Sequence, residues 1–226
     1  MRKMRVLIVL ALNLFPWKVR RYLLNKALGY KIHKSANISC FSLIDADEVV
    51  VGPKAVIAAG NVIKGLKKID MGESSYIGTL NWISAFPLDQ GSRHFNSDPQ
   101  RCTSLTLEMH AAITSRHIID CTDSVTIGEF ATVAGYRSQI LTHSINLHDS
   151  KQRCKPVIIG KYCFIGTSVV ILPGSKIPDY CVLAAQSVWN KNKENPWCLY
   201  AGVPALAKGE IDRTDAYFAR INGFVE

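Results

Sequence analysis

Two of the chain's six histidines, His143 and His148, lie in the polar stretch Thr142-His-Ser-Ile-Asn-Leu-His148, directly after the apolar Leu141. Histidine titrates near neutral pH, so one presented from a loop can take the proton of a hydroxyl or ammonium group as that group attacks an electrophile. His143 heads the stretch and is the candidate general base, with His148 or a neighbouring carboxylate as the group that orients it. The plain alternative is a loop histidine that makes one hydrogen bond. Upstream, Ser115-Arg116-His117-Ile118-Ile119-Asp120 offers His117 and Asp120, each either an acceptor ligand or a satisfied structural group. Asn81 and Trp82 set an amide beside a flat indole, which suits a sugar ring, although Trp82 could equally pack the loop that follows. Within that loop, His94-Phe95 could close over the site from the same or a neighbouring subunit.

Positioning these groups falls to a repeat of six residues. It is plainest from Ile159 to Trp189, where Ile159, Ile165, Ile171, Ile177 and Leu183 open successive units, often followed by a small or turn-prone residue. A six-residue period belongs to a parallel β-helix, because each unit is too short to bury its own apolar side and must stack on its copies. If three units complete a turn, residues eighteen apart stack, placing Ile159 under Ile177, Ile165 under Leu183 and Cys163 under Cys181; these cysteines are then core filler. The repeat starts loosely at Ile38, slips at Ile69-Asp70, and is interrupted near residues 84–104 and 142–156. Long interruptions in a compact solenoid are places where a pocket can be built. The domain reading is a basic N-terminal segment over 1–37, the β-helix over 38–205 and a short C-terminal extension over 206–226.

The chain has 226 residues, 48% of them hydrophobic, enough for one buried core with terminal extensions. Seven cysteines without a CxxC pair argue for reduced thiols rather than disulfides or a zinc site. The net charge of +9 is concentrated at one end: nine cations, from Arg2 to Lys34, precede the first acid, Asp45, and the remaining 18 bases balance 18 acids. A neutral body disfavours nucleic-acid binding, which needs cations along the binding surface. The apolar run from Val6 to Phe15 is too short to span a bilayer as a helix and lacks a convincing signal-peptide cleavage site. It reads as an interfacial helical segment on an anionic membrane, with Trp17 and Tyr22 near the headgroups, as a helical cap on the first coil, or as both. The expected location is cytoplasmic, peripheral at the inner face of the membrane.

From about Ile38 to Lys208 the array resembles the hexapeptide-repeat acyltransferases. Three stretches carry the likeness: Leu141-Thr-His143-Ser, Lys155-Pro-Val-Ile-Ile-Gly160 and Ala201-Gly-Val-Pro-Ala205. They resemble, in order, the catalytic-histidine stretch, the return into the coil and the AGxPA segment of the maltose and galactoside O-acetyltransferases. A softer likeness, through the basic Trp-containing N-terminus, is to the acetyltransferases of bacterial surface-polysaccharide clusters. The resemblance implies an all-β fold, a left-handed parallel β-helix, commonly assembled as a homotrimer. It also implies acetyl-CoA as co-substrate, a sugar or glycan acceptor, and His143 as the base in a direct transfer without metal. Coenzyme A would meet Thr167 and Ala185 along its pantetheine arm, and its phosphates would meet cations at Lys191 and Lys208. The chain departs from the family pattern at Leu206, often a basic position, and at Trp189, commonly a smaller residue.

Beside a non-enzymatic β-helix acting as a scaffold or surface binder, two rival catalytic readings stay open on the sequence. The His143–His148 spacing is also similar to the γ-class carbonic anhydrases, which would require zinc and a third ligand at His110 or His117. Acetylation of an amino sugar is the other, since the same base can deprotonate an ammonium.

Overall fold

The computed structural model describes residues 2–88, 94–190, 195–223 and 225. Its body is a three-faced prism of short parallel strands, with buried apolar side chains stacked coil upon coil along each face. Along the first face stack Ile38, Ile57, Ile77, Ile113, Val133, Ile165, Leu183 and Tyr200. The second carries Ile44, Ile63, Ile83, Ile119, Ile140, Ile171 and Trp189. The third carries Val51, Met71, Leu107, Ile127, Ile159 and Ile177. None of these side chains is more than 3% exposed, and burying an aliphatic side chain of this size contributes about 1.5–3 kcal/mol. The stacked rows are therefore the main source of stability.

The eighteen-residue spacing holds in the last coils, where Ile159 pairs with Ile177 and Ile165 with Leu183. Earlier coils are longer, and Ile57 pairs with Ile77. The slip at Ile69-Asp70 reflects this: strand Val62–Met71 pairs along its length with strand Leu43–Val51, whose register shifts at Asp45/Ala46. Small residues after the aliphatic have a steric cause. A Cβ on Gly160 would lie 2.5 Å from Asp179 Oδ1, and one on Gly166 would lie 2.6 Å from the backbone nitrogen of Ala185. The coils approach too closely for a side chain there. Cys163 and Cys181 are buried in adjacent coils, and burial pushes both thiols up, Cys181 to about 12, so neither is a reactive thiolate.

Two helices close the N-terminal end: α1 (Arg2–Leu12) and α2 (Trp17–Leu28). Val9, Leu12 and Leu24 join the core cluster with Ile38 and Ile44. The Trp17 indole N–H donates to Ala36 O at 2.9 Å, Arg5 pairs with Asp45 (3.2 Å) and Asp47 (2.9 Å), and buried Arg20 donates to Ile38 O and to Asn13 Oδ1. Gly29, at φ +69°, ends α2 in the left-handed conformation that glycine adopts freely. Strand Lys31–Ile32 already pairs with Val50–Val51, so the ladder reaches into the first 37 residues. At the other end Leu206–Glu210 pairs antiparallel with Cys198–Ala201, and the short helix α3 (Ala216–Ala219) folds back on the prism. No helix among the described residues is long and apolar enough to cross a membrane.

Candidate active site

The three corners of the prism carry different side chains. One is a polar ladder: the Asn81 N–H donates to Asn61 Oδ1 (2.9 Å), the His117 N–H to Asn81 Oδ1 (2.8 Å), the Ser138 N–H to His117 Nδ1 (3.1 Å) and the Val169 N–H to Ser138 Oγ (3.2 Å). Since His117 Nδ1 accepts, its proton sits on Nε2, which donates to Thr114 Oγ1 at 2.9 Å. Burial pushes the His117 pKa down to about 4, against a weaker opposing hydrogen bond to Gly135, so the ring is neutral at pH 7. Asn81 and His117, expected as acceptor ligands, are each 1% exposed and serve this ladder. Of the two roles left open for His117, the structure gives it the structural one.

The second corner is aromatic. His110, Phe130, Tyr162, Tyr180 and Trp197 stack in sequence at centroid distances of 4.6, 4.7, 5.3 and 4.2 Å. The C-terminal arm seals it, with the Tyr217 hydroxyl donating to Cys163 O and the Arg220 guanidinium stacked 3.8 Å over the Tyr217 ring.

At the third corner the chain leaves the prism twice. Residues 142–156 form a hairpin of His143–Asn146 against Lys151–Cys154. His143 stands at its root, beside the end of the preceding coil's strand Ile118–Asp120. Asp120 is the organising group. Its Oδ2 accepts from the His143 ring at Nδ1 (2.7 Å), the His143 N–H (3.1 Å), the Thr142 N–H (2.8 Å) and the Thr142 hydroxyl (2.7 Å). Its Oδ1 accepts from the Thr122 N–H (3.1 Å) and hydroxyl (2.6 Å). Burial opposes ionisation of Asp120, but the hydrogen bonds from His143, Thr122 and Thr142 outweigh it and hold the pKa near about 2. The same hydrogen bond raises the His143 pKa, against burial and the nearby charge of Arg101. A permanent carboxylate thus fixes the Nδ1–H tautomer and leaves Nε2 without a partner among the described residues, on a side chain still 37% exposed.

The first interruption covers this corner from within the same chain. Phe95 sets its edge on the His143 ring, with centroids 5.7 Å apart and planes at 90°. Arg101 stacks 4.8 Å over Phe95 and donates to Phe86 O (2.6 Å), Pro87 O (3.0 Å) and Thr122 O (3.1 Å). The Cys154 N–H donates to Asp98 Oδ2, and Gln152 Nε2 lies 3.2 Å from His94 Nδ1, tying loop to hairpin. Between them opens a cleft of about 420 Å³ lined by His94, Phe95, Asn96, Ile145, Lys151 and Gln152. Ile145 and Gln152 are register partners two residues on from the His143–Cys154 pair, so they share the hairpin face that bears His143.

The remaining candidates lie apart. His148, on the turn of the hairpin, is exposed and uses its backbone N–H on Asn146 Oδ1; the carboxylate, not His148, contacts His143. Trp82 is 45% exposed beneath the Lys64 ammonium at 4.5 Å, and pairs with Ile118, two residues before Asp120. Thr167 and exposed Ala185 sit in adjacent coils at the ladder corner, where Thr167 Oγ1 accepts from the Tyr136 N–H at 2.9 Å. Lys208 is exposed on the terminal hairpin, and Lys191 falls outside the described residues. Phe95 closes over His143 from the same chain, one of the two arrangements left open for His94-Phe95, whereas Thr122, Thr142 and Arg101 had no role assigned from the sequence. The coil spacing contained a signal for Thr142: Ile119 pairs with Ile140, which brings Asp120 beside the Leu141–Thr142 segment. Arg101 had none, because a loop outside the repeat has no stacking rule.

Among known proteins, no family model matches the chain. YvoF of Bacillus subtilis (strain 168), named as a candidate acetyltransferase, is 38% identical over 61 residues, 27% of this chain; the match spans about a third of YvoF, 34% of its length. Three solved structures have similar folds. The polysialic acid O-acetyltransferase OatWY has a TM-score of 0.53 at 18% identity, covering 85% of this chain and 90% of that one. The hexapeptide-repeat acetyltransferase VCA0836 of Vibrio cholerae has 0.50 at 20%, covering 93% and 90%. The N-acyltransferase AntD of Bacillus cereus, in complex with dTDP and 3-hydroxybutyryl-CoA, has 0.50 at 19%, covering 83% and 87%. The resemblance drawn from the repeat thus holds at the level of fold: the chain is a left-handed parallel β-helix of the kind found in hexapeptide-repeat acyltransferases.

Proposed function

We propose that the chain is an acetyl-CoA-dependent O-acetyltransferase acting on a sugar hydroxyl, in bacterial surface-polysaccharide synthesis. The observation that carries this is the Asp120–His143 pair, a tautomer-fixed imidazole whose Nε2 has no partner among the described residues, packed under Phe95 of the loop that lines the adjoining cleft. In the reaction Nε2 takes the proton of the acceptor hydroxyl as its oxygen attacks the thioester carbonyl. The C–S bond then breaks, and the imidazolium returns the proton to the coenzyme A thiolate. A thioester is already activated, so no covalent enzyme intermediate is needed. Asp120 stabilises the imidazolium while it exists.

Thr167 and Ala185 remain the candidates for the pantetheine arm, with Lys191 and Lys208 for the phosphates. Thr167 neighbours Tyr136, seven residues before His143 on the same coil, so this corner and the base occupy opposite edges of one face. The reading that follows is a homotrimer in which the coenzyme at one copy's ladder corner meets the next copy's His143. Acetylation of an amino sugar is the second reading, favoured by the likeness to AntD, which is named an N-acyltransferase. The zinc reading loses support, because His117 uses both ring nitrogens within its corner and His110 is stacked at another. We place the protein in the cytoplasm, at the inner face of the membrane through residues 1–34.

Labelled acetyl-CoA incubated with hydroxylated and amino-sugar glycans, followed by mass spectrometry, tests the proposal. An added acetyl ester supports it; an acetamide selects the second reading. Stoichiometric zinc with carbon dioxide hydration and no coenzyme A binding overturns both.

A further inference from the structure

The N-terminal cap is apolar on two sides. Its inner side, through Val9, Leu12 and Leu24, is buried on the first coil. Its outer side leaves Met4 63%, Leu7 67%, Leu10 50% and Leu14 88% exposed, with Phe15, Val19 and Tyr22 continuing the surface onto α2. Met4, Leu7 and Ala11 fall at steps of three and four, one line along α1, and Leu14 follows in the turn beyond it. A cap needs only the inner side, so the outer one calls for its own occupant.

Charge identifies that occupant. Of the nine N-terminal cations, Arg5 and Arg20 are held by the protein itself. Lys18 and Lys26 are exposed on α2, Lys26 lying 5.7 Å over the Tyr22 ring, and Lys31 and Lys34 are exposed in the segment that follows it. The first 44 residues contain no acid. A second copy docked on this face would bring like charges together with nothing to neutralise them, whereas phosphate-bearing headgroups supply both the counter-charge and an apolar layer beneath. We propose that the α1–α2 cap is a docking foot for an anionic bilayer surface, lying in the headgroup plane. α1 has 11 residues, about 16 Å, half the roughly 30 Å of a hydrocarbon core.

The foot also sets a height. Ile44, on the first coil, lies three ladder steps from Ile119 and four from Ile140, each step about 4.8 Å. Asp120 and His143 therefore stand about 15–20 Å above the capped coil. Resting on the acetyl-transfer reading, the foot narrows the acceptor class to a membrane-anchored glycan modified near its lipid end.

The test is flotation of the full chain with vesicles of phosphatidylcholine alone or with 30 mol% phosphatidylserine, about 0.15 M salt, without acetyl-CoA. Binding is expected to the phosphatidylserine vesicles and to weaken as salt rises. Lys18→Gln/Lys26→Gln/Lys31→Gln should lower affinity about 100-fold, at about fivefold per lysine. Leu7→Gln/Leu14→Gln should lower it at least about tenfold. All five side chains are exposed, so circular dichroism and coenzyme A binding should be unchanged. Wild-type protein that fails to float, or a triple-lysine variant that floats like wild type, overturns the proposal. So does self-association that the leucine variant abolishes, which would make this face a contact between copies. Flotation reads lipid binding without chemistry, so its failure is distinct from failure of the acetyl-transfer reading.

Discussion

Replacing Asp120 by Asn keeps the shape of the pair and removes its charge. The amide oxygen can take the place of Oδ2 and still receive the Nδ1–H, but the amide nitrogen then faces the Thr122 N–H, setting donor against donor. The imidazolium formed during transfer loses its anionic partner; a charged hydrogen bond worth about 1.5–3 kcal/mol corresponds to a fall in kcat of about 10- to 100-fold. The acid limb of kcat/KM should move to lower pH, because Asp120 raises the His143 pKa and only the neutral ring acts as base. Stability should fall as well. Folding lowers the Asp120 pKa from 3.8 to about 2, worth about 2 kcal/mol at neutral pH. Because the folded value lies below the unfolded one, that contribution is full above pH 3.8 and is lost as pH falls through about 2. A pH series of acetyl transfer from acetyl-CoA to a glycan acceptor, with urea unfolding at pH 7 and pH 3, measures both effects. A plateau and an acid limb unchanged from wild type would refute the assigned role of Asp120.

Arg101→Ala strips the donors from three backbone carbonyls, two of the loop and Thr122 O of the prism, and should lower stability by about 2–4 kcal/mol, read as a drop in Tm and faster proteolysis between Pro87 and Pro99. It should also move the acid limb to higher pH, opposite to Asp120→Asn, since the Arg101 charge lowers the His143 pKa. His117 has a folded pKa of about 4 against 6.5, so about 3 kcal/mol of stability should be lost as pH falls from 6.5 to 4. His117→Asn, the residue type already at positions 61 and 81 of the ladder, should fold and lose that acid sensitivity in denaturant titrations at several pH values.

The repeat made the prism readable because one physical rule, an aliphatic side chain inward on every face, governs each coil independently of its neighbours. The same rule aligned Cys163 and Cys181 and brought Asp120 to the coil edge beside Thr142. It could not tell inward from outward use at the corners, where Asn81 and His117 look like ligands in sequence and are ladder rungs in space. Asp120 shows the converse: a residue paired with His117 in the sequence reading parts from it, because three residues span one face and reach the next corner. The loop over residues 84–104 was legible as an interruption in which His94-Phe95 could close over the site, but not as the particular contacts it makes. Phe95 meets His143 through contacts 48 residues apart in the chain that no period encodes.

If His143 Nε2 is the base of acetyl transfer, the kcat of His143→Ala with acetyl-CoA and an acceptor glycan shows it. Loss of a positioned general base removes about 10²–10⁴ in rate. A fall of that size is expected with coenzyme A binding, Tm and oligomeric state retained; full activity in the variant would rule His143 out as the base.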